Sequence, residues 1–206
     1  PAHATLVRRA EPLRQSILCL DGWLGRTKDT PTGERQVLEL HVAGDFADLH
    51  AYTLKSLDHN LVAMAPTKVG FVPHERLDKL FARHPRLPKA YWQMTNIDAA
   101  IQREWTFSMG RRDAAALLAH LFCELFERLR TADRVYGDSY DLPLTQAQLS
   151  ECVGLTPVHI NRTLQALRAD GLISLENKRL TILDQARLRA VADFDPAHLY
   201  MRKLIA

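Results

Sequence analysis

Long hydrophobic runs are missing from this chain of 206 residues, although 47% of its residues are hydrophobic. No stretch approaches the roughly 20 apolar residues that cross a bilayer as a helix, so the apolar residues belong to cores and no membrane contact is expected. A secretory leader is missing too: no basic start leads into an apolar stretch and a small-residue cleavage site. The chain opens on Pro1 rather than methionine, and some preceding residues are expected to have been lost. Cysteine is scarce. Cys19, Cys123 and Cys152 lie far apart and form no Cys-x-x-Cys pair, so they read as buried thiols of a protein in the reducing cytoplasm. Strong charge of one sign is also absent. Against 24 Asp and Glu stand 27 Lys and Arg, and a net +3 is too little to identify a partner by itself.

What is present is concentrated between Thr145 and Ile182, in TQAQLSECVGLTPVHINRTLQALRADGLISLENKRLTI. Thr145 with Gln148 three residues on is a capping-box pattern, and Leu149 and Val153 would point inward from the helix it starts. Gly154 falls where a tight left-handed turn is needed. Thr156 can cap a second helix over 157–169, with Pro157 at its first position, where no N–H partner is lost. Ile160, Leu164 and Leu167 recur at helical spacing, which puts Val158, Arg162 and Gln165 on the opposite face, flanked by His159 and Asn161. Gly171 stops the helix, and ISLE and RLTIL form two strands around Asn177 and Lys178. Helix, glycine turn, helix and hairpin make a winged helix-turn-helix, whose second helix enters the DNA major groove. From Thr131 onward acids and bases nearly cancel. DNA affinity must therefore come from local placement of Arg162, Arg168, Lys178 and Arg179.

Residues 144–182 closely resemble the DNA-binding end of the Crp/Fnr superfamily of bacterial transcription regulators, and a looser resemblance extends over nearly the whole chain. The TPVHINRTLQ variant is similar to an alphaproteobacterial subgroup without an assigned effector. The resemblance implies an α+β protein: an N-terminal cyclic-nucleotide-binding-like β-roll over 1–84, a long dimerisation helix over 85–109, and a C-terminal winged helix-turn-helix over 110–206. It implies no enzyme, but a homodimer that binds a palindromic site on double-stranded DNA, works with RNA polymerase and takes a small-molecule effector. Thr145, Gln146 and Thr156 match family positions near the phosphate backbone, and Lys178 and Arg179 on the wing would add phosphate contacts. Arg162 is expected to read a base, with guanine the best match. Pro157 and Val158 depart from the family's usual polar readers, so His159 and Asn161 would take over part of the reading and the site should differ. Fnr-type members hold an iron–sulfur cluster on an N-terminal cysteine group, which these residues do not contain; the cofactor stays unknown.

The N-terminal half reads as short strands broken at Asp21–Gly22, Thr32–Gly33 and Gly44–Asp45, as in a small barrel or sandwich. In nucleotide-binding members of the family a glycine–glutamate start is followed by an arginine and a small hydroxyl residue that hold the phosphate. Here Asp45 replaces the glutamate, and Asp58, His59 and Asn60 stand in place of the arginine and its neighbour. A carboxylate repels a phosphate, so control by cyclic AMP is not expected. The same stretch holds His41, Asp45, Asp48, His50, Asp58 and His59. These leave open a rival reading, a cupin-like metal-dependent enzyme or metal sensor. No His-x-His or His-x-x-x-His spacing supports it, and no catalytic or metal residue is assigned.

Between the halves, Leu87, Met94, Ile101 and Ser108 recur every seven residues with Tyr91, Ile97 or Asp98, and Trp105 between them. That repeat suits two packed helices. Ser108, Met109 and Gly110 are expected to break this helix, with Gly110 as the hinge, before ALLAHLFCELFERL opens the DNA-binding domain.

Overall fold

A computed structural model describes residues 1–201, so the last five residues of the expected 110–206 domain lie outside the described residues. The chain divides into two compact units, Pro1–Gln102 and Arg103–Ala206.

The first unit is a β-roll. Its strands are β1 (Thr5–Val7), β2 (Gln15–Asp21), β3 (Leu24–Asp29), β4 (Arg35–His41), β5 (Asn60–Ala63) and β6 (Lys68–Pro73). A short helix α1 (Ala51–Leu54) precedes β5, and α2 (His74–Arg83) follows β6. One antiparallel sheet has the order β1-β5-β3-β4, and β2 pairs with β6. Alternation along these strands sends Val7, Ile17, Cys19, Leu24 and Leu61 into a shared core with Ala47, Ala51 and Leu57. The expected turns are present. Gly22 has φ +86°, and a Cβ there would lie 2.5 Å from the Pro66 carbonyl oxygen, so no larger residue fits. At the Gly44–Asp45 turn Gly44 has φ +98°, and Asp45 accepts from the Val42 N–H at 2.9 Å.

The long helix α3 spans Leu87–Arg111 and differs from expectation in two ways. It does not break at Ser108–Gly110. The Arg112 N–H still donates to the Ser108 carbonyl at 2.9 Å, and the chain turns only where Asp113 caps the next helix. A single glycine costs a helix about 1 kcal/mol, which the packing of buried Trp105 and Ser108 outweighs. Nor is the seven-residue stripe open to a partner along its length, because Ile101, Trp105 and Ser108 are buried within this chain. The exposed face carries Trp92, Asn96, Ala99, Arg103 and Thr106 instead.

The second unit is built on α4 (Ala114–Thr131), where every residue from Leu117 to Leu129 is buried. Around it lie α5 (Gln146–Val153), α6 (Pro157–Ala169) and α7 (Gln185–Ala192), with a short 3-10 turn at Pro196–Leu199. The wing is larger than a hairpin. Strands β7 (Val135–Tyr136), β8 (Ser139–Asp141), β9 (Ile173–Glu176) and β10 (Arg179–Ile182) form one sheet in the order β7-β8-β10-β9. Tyr140 on β8 is fully buried and donates to the Phe122 carbonyl at 3.1 Å, which pins the sheet to α4.

Candidate nucleic-acid interface

The two short helices are fixed by their ends. Thr145 Oγ1 accepts from the Gln148 N–H at 3.1 Å, and Gln148 Oε1 accepts in return from the Thr145 N–H at 2.9 Å. Gly154 ends α5 with φ +68°, in the left-handed region. Thr156 then caps α6, accepting from the His159 N–H at 3.3 Å, and Pro157 occupies the first turn. Ile160, Leu164 and Leu167 are buried, so the orientation of α6 is set by the core. The opposite face is open: Val158 is 71% exposed, and His159, Asn161, Arg162 and Gln165 are exposed beside it.

Several expected site residues are brought into contact. Asn161 Nδ2 donates to Gln146 Oε1 at 3.1 Å, and Gln165 Nε2 donates to Asn161 Oδ1 at 3.0 Å. This amide chain links the start of α5 to the outer face of α6 and presents groups of the kind that pair with adenine edges. Arg162 is exposed and forms no ion pair among the described residues, so its guanidinium stands ready for an anionic or acceptor-rich partner. Thr145 and Thr156 both use their hydroxyls as helix caps.

The wing residues divide. Asn177 (φ +50°) and Lys178 (φ +60°) form the two-residue turn, and Lys178 is exposed at its tip. Arg179 is engaged by its own chain: Nε and Nη2 donate to Asp141 Oδ1 at 3.1 and 3.0 Å, and the guanidinium lies 5.3 Å from the Tyr136 ring centre. This pair lies at the surface, with the Arg179 side chain 52% exposed. Arg168 donates to the Leu175 carbonyl at 3.2 Å, tying α6 to β9.

Inside the roll the decisive side chain is one that the sequence did not single out. Arg26 on β3 is buried and bonds Glu39 Oε2 at 2.6 Å, Asp98 Oδ2 at 2.8 Å and the Ala47 carbonyl at 2.9 Å. Gln102 adds donors to Glu39 Oε2 at 3.1 Å and to the Leu38 carbonyl at 2.7 Å. No periodicity marks an arginine in mid-strand as the hub of such a network, because its partners come from β4 and α3. With two carboxylates on this guanidinium, and Asp58 standing where the family's arginine belongs, the roll does not fit an anionic nucleotide phosphate.

The proposed metal ligands come together only in small clusters, with His50 and His59 ring centres 5.4 Å apart and His41 Nδ1 3.9 Å from Asp45 Oδ2. Asp48 accepts from the Ile17 N–H at 2.6 Å, and burial raises its carboxyl to about 7, against that hydrogen bond and the pull of Arg26. Asp58 accepts from Lys28 at 2.6 Å and pairs with His59 Nδ1 at 2.9 Å. Burial lowers His50 to about 4, helped by Arg26, and keeps its ring neutral. Among the described residues no group of three or more His, Cys, Asp or Glu side chains is placed to hold a metal ion. The rival metal reading is not favoured. All three cysteines are buried, and burial lifts the thiols of Cys19 and Cys123 to about 12, where they are protonated and unreactive.

Comparison with known proteins agrees with both halves. Residues 1–84 match the family pattern of the cyclic nucleotide-binding domain, and residues 116–191 match that of the Crp-like helix-turn-helix domain. The transcriptional activator protein Anr of Pseudomonas aeruginosa is 24% identical over 187 residues, covering 91% of this chain and 76% of that protein. The transcriptional activator protein FnrL of Cereibacter sphaeroides is 27% identical over 173 residues, covering 82% and 69%. Among solved structures, FixK2 from Bradyrhizobium japonicum aligns with a TM-score of 0.80 at 19% identity, covering 92% of this chain and 93% of that one.

Proposed function

The chain belongs to the Crp/Fnr superfamily of transcription regulators, and from that membership we propose that it binds a palindromic DNA site as a homodimer without cyclic AMP as its signal. The observation that carries the DNA reading is the capped, core-anchored α6 with its open polar face around Arg162. Thr145, Gln146, Thr156 and Lys178 contact phosphates, and Arg162, with His159, Asn161, Gln165 and the Val158 side chain, reads the major groove. Residues 1–84 act as the sensor-like domain, the helix after them as the dimerisation element, and the remainder as the DNA-binding domain. The two relatives named above are activators, so RNA polymerase is the expected further partner, with the cytoplasm as the place of work. No catalysis is assigned. The roll responds to a small molecule other than an anionic nucleotide, since Arg26 is already paired.

Selection of bound sequences from a random duplex pool tests this. A palindromic consensus is the expected result; binding without sequence preference would overturn it. On the selected site Arg162→Ala should cost about 1–3 kcal/mol and relax the preference at one base pair per half-site. A uniform loss over all sequences would instead assign Arg162 to a phosphate.

A further inference from the structure

The two residues between α3 and α4 are the natural place for the DNA-reading unit to change its angle, yet one of them is bound on every side. Arg112 has a side chain only 8% exposed. Its Nε donates to the Ala192 carbonyl at 3.0 Å and its Nη2 to the Asp193 carbonyl at 3.1 Å. These acceptors lie at the C-terminus of α7, where helix carbonyls lack partners and positive charge is favoured. Nη1 donates to Glu104 Oε1 at 2.8 Å and to the Ser108 hydroxyl, both on the last turns of α3. The guanidinium also lies 5.1 Å from the ring centre of Phe107. Glu104 in turn sits 3.2 Å from His120 Nε2 on α4, and the His120 ring meets Phe194 edge-on at 5.1 Å.

We propose that Arg112 is a positioning residue for DNA binding: by joining the end of α3 to the end of α7 it fixes the angle of the reading helix and so sets the spacing of the two half-sites. The inference rests on the DNA-binding dimer proposed above. Four of the five guanidinium N–H groups are used, two toward α3 and two toward α7, so the connection cannot rotate without breaking bonds on one side. Only a planar fork can reach both sides at once; an ammonium in the same place is a point charge. In a dimer held through α3, this angle decides where two copies of α6 fall along the duplex. Half-sites lie about 34 Å apart for about 10 base pairs, so one added pair shifts a half-site by about 3.4 Å and turns it by about 35°. A rigid connection rejects that change and a loose one follows it.

The test uses the full chain and a set of duplexes carrying the selected half-sites at the preferred separation and at one and two base pairs either side, titrated by fluorescence anisotropy. The wild-type chain is expected to lose about tenfold or more in affinity for one misplaced base pair, while Arg112→Ala loses no more than about threefold, with its half-site base preference unchanged. Arg112→Met, which keeps the side-chain bulk, covers the case in which alanine does not fold and should show the same broadened profile. Arg112→Lys should fall between, since it keeps charge at the end of α7 without the fork. A spacing profile identical to wild type in these variants, with affinity lowered equally on every duplex, would overturn the inference and leave Arg112 a stability residue. A wild-type chain without preference for paired half-sites would instead bring down the regulator reading itself.

Discussion

Replacing Arg26 by methionine removes the hub of the buried charges in the roll while keeping much of its apolar stem. Glu39 is then left fully buried, and Asp98, with a side chain 20% exposed, is left partly so. An uncompensated buried charge costs about 3–5 kcal/mol, and most of that should come from Glu39, because Asp98 can draw water. The companion variant Arg26→Met with Glu39→Leu replaces both buried charges by apolar groups. Its cost should fall to about 1 kcal/mol, since the fully buried charge is gone and only Asp98, which can draw water, has lost its ion pair with Arg26. Hydrogen exchange at the amides of β3 and β4 is the suitable assay, because it reads the opening free energy of the roll separately from the helical unit. Strong loss of protection in the single variant and recovery in the double would establish the coupling. A single variant within about 1 kcal/mol of wild type, or a double variant less stable than the single, would refute the reasoning.

Two further outcomes follow from the same geometry. Gly110 lies inside α3 and a Cβ there meets nothing within 4 Å, so Gly110→Ala should raise helix stability by about 0.5–1 kcal/mol, measured by thermal unfolding, and leave DNA affinity unchanged. A loss of DNA affinity would restore Gly110 as the hinge. Asp48 has its carboxyl raised by burial from 3.8 to about 7, so the folded state keeps a proton that the unfolded chain loses. Its contribution is fully present below pH 3.8 and is lost as the pH rises through about 7. Exchange protection of the roll should therefore fall between about pH 4 and 7, by up to about 1.4 kcal/mol per unit, and level off above, and Asp48→Asn should flatten that slope. An equally steep slope in the variant would assign the titration to another group.

The DNA-reading half was legible because its signals are short. The Thr145–Gln148 box, Gly154, the Thr156–Pro157 start, Gly171 and the Asn177–Lys178 turn each involve residues a few positions apart, and all are found where expected. The strands β7 and β8 were missed, since two and three residues are too few to display alternation. The heptad on α3 was visible but its meaning was not. A stripe of apolar residues serves an intramolecular core and a partner helix equally well, and here Ile101, Trp105 and Ser108 went to the chain's own core.

By itself, then, the sequence determined the elements and the face that α6 turns outward, because capping, left-handed turns and helical periodicity are settled by neighbours along the chain. Only the tertiary structure decided what the charged residues do. Arg26 meets Asp98 across 72 positions, and Arg112 meets Ala192 across 80. Whether an arginine awaits a phosphate or is already paired depends on which carboxylates and carbonyls the fold carries to it, and on how far the fold removes both from water. Arg162 and Arg26 are the same residue in the sequence. One is left in solvent, and the other is enclosed and paired.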